Sequence, residues 1–418
     1  MSRSTSSTAI EPNYGVVERP SHVPPERVVN FNYFAPPPPG VESYTLLRGL
    51  QEVGPDILWS PHNGGHWIAT RADDIRWVQE NYETFSHEVF TLPRGATKII
   101  MPPLTVDPPH HARFRAIFNT FFTPGRVAAI KAEARELAIA LIERIATRES
   151  CDFTAEFATV LPVTVFLQIV DLPLDRRDEF HRWAQAHMSA ADDAAKKRAL
   201  VPVVAYLQEI LNQRYAAPGP DMLSAIAAWR DNKRFGGEDE VLGMALLIFF
   251  GGLDSVISEM TLMMRHLAEN PAHRQRILRE PAIIPRAVEE YLRRHGLSIT
   301  GRLITHDVER KGATMKAGEM IMVPIGCSSI DERFHPRAFE VDFDRAENFG
   351  TDGRPAHNTF GNGPHRCVGA PLARAELALL LEEWLPRIPE FSVHPDYPVN
   401  YHMNVSPGID RLWLKIGS

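Results

Sequence analysis

With 418 residues and a mass of 47.0 kDa, the chain can hold two or three average domains or one large one. Hydrophobic residues make up 44% and charged residues 23%, close to globular averages, which excludes a disordered or fibrous bulk. The 45 basic and 52 acidic residues leave a net charge of −7, so no general affinity for nucleic acid is expected. In chain order, the proline-rich residues 1–40, with Pro24-Pro25 and the run Pro36 to Pro39, read as an arm on the surface or leading into the fold. Proline removes amide donors and favours extended backbone. The start MSRSTSSTAIEPNYG has no apolar core of the secretory kind.

Residues 41–418 read as one large domain. Arg126 to Arg148 places Val127, Ile130, Ala134, Leu137, Leu141 and Ile142 at helical spacing. Similar patterns occupy Leu161 to Val170, Arg198 to Arg214, Asp239 to Glu269, Ala282 to Arg294 and Leu372 to Leu385. Strand-like pieces are shorter: Trp67 to Thr70, Glu319 to Val323 and Arg411 to Ile416. No repeat or flexible linker divides this stretch. The predicted class is mainly α with small β-sheet regions in a single domain.

Two segments carry more than fold. Asp239 to Glu269 predicts one helix of about 45 Å, at about 1.5 Å per residue, stopped by Asn270-Pro271. Its part Val241 to Phe250 is apolar on every face and so belongs in the core. The run Val241 to Leu253 is too short to span a bilayer. Gly251-Gly252 in its middle costs about 2 kcal/mol of helix propensity relative to alanine. Asp254-Ser255 adds a buried carboxylate and hydroxyl, costly unless used. The plain reading is a kink with a satisfied polar pair. The functional reading is a helix opened for a flat ligand or dioxygen, with a proton-handling pair beside it.

The second segment is Phe360-Gly361-Asn362-Gly363-Pro364-His365-Arg366-Cys367-Val368-Gly369, followed by Ala370-Pro371 and a helix. Glycines at these spacings let amide N–H groups converge on the sulfur, and the helix dipole stabilises a thiolate. Thiolate is a soft ligand suited to iron. Cys151 and Cys327, by contrast, read as small buried hydrophobes. Three cysteines are an odd number and too few to staple a chain of this size, so the protein is expected to be cytosolic, reduced and soluble. A cysteine protease signature and a zinc-ligand spacing are both missing from the sequence.

FGNGPHRCVG resembles the haem-binding loop Phe-Gly-x-Gly-x-His-x-Cys-x-Gly of the cytochrome P450 family. Gly251-Gly252-Leu253-Asp254-Ser255 resembles its oxygen-activating helix motif, and Glu290-Tyr291-Leu292-Arg293 matches its Glu-x-x-Arg. DPPHHARFRA, GGLDSV, RILREPAIIPRAVEEYLRR and LPRIPEFSV are similar to bacterial camphor-hydroxylase-like members. The resemblance implies heme b (iron protoporphyrin IX) between the long helix and the cysteine loop, with Cys367 as thiolate ligand to iron. It implies Phe360 packed near the sulfur, and Gly251 and Gly369 close to the cofactor. His111, Arg115, Arg302 and His365 become candidate partners of the propionates, Glu290 and Arg293 a fold-stabilising pair, and Asp254 and Ser255 the proton donors of oxygen activation. Most family members carry threonine where this chain has Ser255. The lost methyl frees the rotamer and bears on coupling.

By the same resemblance the substrate pocket comprises Phe90, Ile99, Met101, Leu104, Leu247, Phe250, Leu297, Ser298, Asn404 and Val405. This mostly apolar set implies hydroxylation of a small monoterpenoid-like or cyclic hydrocarbon substrate at an unactivated C–H bond. Camphor hydroxylases place a ketone-binding tyrosine where this chain has Ile99, so camphor itself is not implied; Asn404 or Ser298 are candidate replacement donors. The chain lacks a flavin or nicotinamide fingerprint, so two electrons per O2 are expected from an acidic iron–sulfur ferredoxin with its reductase. Arg113, Arg115 and Arg366 are candidate docking residues. Family habit implies a bacterial cytoplasmic monomer, without nucleic-acid or membrane partners. The competing expectations are a peroxide-driven peroxygenase and a non-catalytic haem-binding sensor or carrier.

Overall fold

The computed structural model describes residues 14–96, 99–188, 193–232, 237–350, 355–403 and 405–417. Helices dominate. The helical periodicities found from Arg126 onward correspond to Pro124–Ala146, Val160–Val170, Asp193–Ala216, Ile284–Arg294 and Ala370–Arg387. The three strand-like pieces become His66–Ala69, Met320–Pro324 and Trp413–Ile416.

The largest sheet has five strands in the order Ile57–Ser60, His66–Ala69, Met320–Pro324, Ile299–Ile304, Phe85–Ser86. His66–Ala69 runs parallel to Met320–Pro324, and the other pairings are antiparallel. Residues 14–40 lie against this sheet: Val29 N–H bonds Trp59 O at 2.9 Å, Arg27 bonds Ile57 O at 2.8 Å, and Val23 and Tyr33 are buried. A three-stranded sheet joins Ser150–Asp152, Trp413–Ile416 and Phe391–Val393, and a short hairpin pairs Tyr401–His402 with Gly408–Ile409. That hairpin packs on the helix Ser255–Glu269.

The expected helix Asp239 to Glu269 is two helices, Glu238–Gly251 and Ser255–Glu269, interrupted at Gly252 to Asp254. The first starts with Glu238, Asp239 and Glu240 at its positive end, where the dipole favours acids. Val241, Met244, Ala245, Leu246 and Phe249 are buried, so this run does pass through the core. Asn270 closes the second helix and Pro271 opens the next. The combined stretch Glu238–Glu269 is apolar and long enough to cross a membrane, and half of its apolar window is buried inside the protein. It is a core element.

Glu290 and Arg293 lie one turn apart on Ile284–Arg294 and are fully buried. Their ion pair is bidentate, Nη2–Oε1 2.7 Å and Nε–Oε2 3.1 Å. Arg293 further donates to Ser329, Ala338 and Glu340 carbonyls, while Glu290 accepts from Asp342 N–H, Asn348 Nδ2 and Arg345 Nε. Such saturation offsets the desolvation cost of both charges and ties 329–348 to the helix that leads to the site.

Candidate active site

The cysteine loop takes its shape from two left-handed glycines, Gly361 at φ +71° and Gly363 at φ +67°. At Gly363 a Cβ would also lie 2.8 Å from Gln79 O, so backbone passes where no side chain fits. Asn362 bridges Gln79 and Asn358, and Cys367 N–H closes the turn on Phe360 O at 2.8 Å. Cys151 and Cys327 are buried, whereas Cys367, though deep among protein atoms, keeps accessible surface. Burial raises its thiol pKa, and the N–H of Gly369, the Arg115 charge, the N–H of Ala370 and the Arg374 charge act to lower it. Three of these four are set by the start of the helix Ala370–Arg387 and the residue before it. The Arg374 guanidinium also covers the Phe360 ring at 4.6 Å and is held by Glu289, which in turn bonds His357 at 2.9 Å.

Beside this loop the structure assembles a cluster of nitrogen bases. His365 stacks on His87 at 3.6 Å and meets the edge of His111 at 4.5 Å. Its Nε2 donates to Asp107 Oδ1 at 3.1 Å, and the Asp107 carboxylate also accepts from Ser86 Oγ and His87 N–H. Arg302, on the strand Ile299–Ile304, is 4% exposed and spends Nη1 on Gly301 O and Thr300 Oγ1. Burial lowers its pKa to about 9, and burial with the neighbouring cations lowers His111 to about 4. Arg115 is half-buried, bonded to Asn119 and close enough to Cys367 for their charges to interact. Arg113 and Arg366 are exposed.

Four buried nitrogens of this cluster have no partner among the described residues: His87 Nδ1, His111 Nε2, Arg302 Nε and His365 Nδ1. Buried polar atoms are nearly always paired, so four orphans from four segments of chain imply a polar group that meets them there. A ligand with two carboxylates suits them. The soft sulfur beside them suits a metal held by the same ligand. These residues therefore fit a haem with its propionates among the four orphaned nitrogens and its iron at Cys367. His87 and Asp107 are site residues the sequence does not single out: His87 sits in no motif, and Asp107 only opens the segment DPPHHARFRA.

The helix break has its own geometry. A Cβ at Gly252 would fall 2.4 Å from the Phe166 ring, so only glycine allows that contact, while at Gly251 nothing lies within 4 Å. Gly251 and Ser255 keep accessible surface four residues apart. Asp254 begins the second helix, its carbonyl accepting from Ser258 N–H at 3.1 Å. Burial raises the pKa of Asp254, opposed by the His402 charge and a hydrogen bond from Ser406.

The expected pocket residues come from four regions. Phe90 O and Val405 O accept from Gly301 and Ile299 N–H, at 2.7 and 2.9 Å, which holds both beside one strand; Leu297 and Ser298 precede it. Ile99 to Leu104 approach the first central helix at Gly243, where a Cβ would lie 1.9 Å from Ile100 O. Gly243 therefore permits a backbone contact that its place in an apolar run did not disclose. Leu247 is half-buried on that helix, and the Phe250 ring lies 4.7 Å from His187. Asn404 lies outside the described residues.

A sequence profile of the family described as Cytochrome P450 matches residues 180–404. The chain belongs to the cytochrome P450 family. It is 33% identical over 386 residues to the probable cytochrome P450 127A1 of Sinorhizobium fredii, covering 90% of this chain and 91% of that protein. It is 32% identical over 350 residues to the mycinamicin IV hydroxylase/epoxidase of Micromonospora griseorubida, covering 81% and 86% respectively. The crystal structure of CYP101J2 superposes with a TM-score of 0.84 at 32% identity, covering 96% of this chain and all of that one. As a P450 this chain is a haem-thiolate monooxygenase with the expected mainly helical fold.

Proposed function

We propose that this P450 hydroxylates an unactivated C–H bond of a small apolar, monoterpenoid-like or cyclic hydrocarbon substrate, using O2 and two electrons from an iron–sulfur ferredoxin. The observation that carries the site assignment is the set of four orphaned nitrogens next to an accessible cysteine in a glycine-shaped loop. In this reading Cys367 ligates the iron, held by the Gly369 and Ala370 amides, with Phe360 beside it and Arg374 over the ring. His87, His111, Arg302 and His365 receive the propionates, with Arg115 adding charge. Bound haem supplies the reduction and activation of dioxygen. Ser255 presents its hydroxyl from the helix break, and Asp254, kept protonated to higher pH by burial, supplies protons beside it. The apolar side chains of Phe90, Ile99, Met101, Leu104, Leu247 and Val405 exclude water and orient the substrate by shape, with Phe250 and Leu297 adding apolar surface and Ser298 a hydroxyl.

Exposed Arg366, next to Cys367 in the chain, and exposed Arg113 suit an acidic electron donor. The curated relatives are bacterial, and we place the chain in a bacterial cytoplasm. The experiment is a spin-state titration of the ferric protein with a monoterpene panel, followed by product analysis with a ferredoxin–reductase pair or with hydrogen peroxide alone. Hydroxylated product with the electron-transfer pair at rates well above those with peroxide is expected. Equal rates would favour the peroxygenase; no turnover with any terpene would remove the substrate class.

A further inference from the structure

A cavity of about 330 Å³ lies against Asp254. Its polar lining includes Asp254, Ser258, His181, Gln185, His402 and Asp410, with Thr154 and Thr159 adding hydroxyls. Ser255, next to Asp254 in the chain, is not part of that lining. Asp254 lines this cavity together with Phe250 and Leu253, while its chain neighbours Gly251 and Ser255 keep accessible surface. At the outer end, His402 Nδ1 bonds Asp410 Oδ1 at 2.8 Å, and the two side chains are 31% and 56% exposed. At the inner end, a Cβ on Gly408 would lie 2.9 Å from Ser258 Oγ and 3.0 Å from His402 Nε2. The second imidazole nitrogen and the helix hydroxyl therefore converge over a glycine, where a side chain would come between them. Asp254 also feels the His402 charge and is bonded by Ser406 from the same hairpin.

We propose that His402, oriented by Asp410, is the proton entry point of this enzyme, relaying protons from solvent through water in this cavity to Asp254. This rests on the monooxygenase reading above. One turnover combines O2, two electrons, two protons and one C–H substrate into an alcohol and water, so two protons must enter. Each enters by the same steps: Asp254 gives its proton toward Ser255, His402 imidazolium gives one through cavity water to the Asp254 carboxylate, and solvent reprotonates His402 with Asp410 stabilising the cation. No electron moves in the relay. A cavity of this size has room for several waters, and its eight polar side chains supply the partners such waters need.

The test uses the full-length haem-loaded protein with a plant-type ferredoxin, its reductase and limonene as the probe. H402Q keeps size and polarity but cannot shuttle a proton, and G408A inserts a methyl between Nε2 and Ser258. Both are expected to shift reducing equivalents from product to hydrogen peroxide, by about tenfold for H402Q, and to change the solvent isotope effect on NADH oxidation, with the carbon monoxide spectrum unaltered. Independently of turnover, the carboxyl stretch that D254N abolishes in infrared difference spectra of carbon monoxide photolysis should move in H402Q. Wild-type coupling, isotope effect and carboxyl band in both variants would overturn the relay. So would a large effect of H181Q with H402Q silent. If the wild type makes no limonene product but the carboxyl band still responds to H402Q, the substrate reading fails and the relay stands.

Discussion

Arg293 and Arg302 lie nine residues apart in the chain and are both buried, yet they stand in opposite circumstances. Arg293 meets a carboxylate and three carbonyls. Among the described residues Arg302 bonds a carbonyl and a hydroxyl, and its Nε is left over beside three unpaired imidazole nitrogens. A closed cluster stabilises the fold; an open one is built for something that arrives. Burial alone therefore does not separate structure from function, whereas counting the donors left over does.

The comparison predicts its own breakage. R293A should cost the most, about 3–5 kcal/mol, because it removes the bidentate partner of the buried Glu290, leaving Arg345 as its one cation among the described residues, and unpairs three carbonyls. Chemical denaturation and the yield of haem-containing protein will register it. R302L should alter global stability little, yet speed haem loss to an acceptor globin by about tenfold, one charge-assisted contact being worth about 1.5–3 kcal/mol. Equal effects of the two substitutions on both readouts would erase the distinction. G252A should cost about 1–3 kcal/mol through its clash with Phe166, and adding F166L should recover part of that.

Glu376 offers a smaller, pH-dependent effect. It is buried on the helix after the cysteine loop with Oε1 unpaired, and burial raises its pKa to about 8 from an ordinary 4.5. As pH rises the unfolded chain loses this proton first. The contribution therefore weakens the fold progressively between about pH 4.5 and 8 and levels off above. E376Q should flatten that part of the stability profile, and melting temperatures at pH 5 and pH 8 will show whether it does.

Much of this was legible before the fold. Helical spacing located most of the long helices, and the glycines around Cys367 distinguished it from Cys151 and Cys327 because local backbone geometry is written locally. The break at Gly252 to Asp254 was visible as a cost, though a single continuous helix was expected there. What could not be read depends on distant chain meeting: His87 stacking on His365, Gly243 admitting Ile100 O, and His402 facing Ser258 across Gly408. Arg115, expected both at the propionates and on the docking face, turns out half-buried near the sulfur, while Arg113 and Arg366 stay outside.

The most direct test of the central claim is the absorption spectrum of the dithionite-reduced protein under carbon monoxide, taken for the wild type and for C367H. With Cys367 as the iron ligand, the wild type will show a strongly red-shifted Soret band, and C367H will retain haem with the band at the position of imidazole-ligated haem. A wild-type band already at the imidazole position, or a red-shifted band that survives in C367H, would contradict Cys367 as the iron ligand.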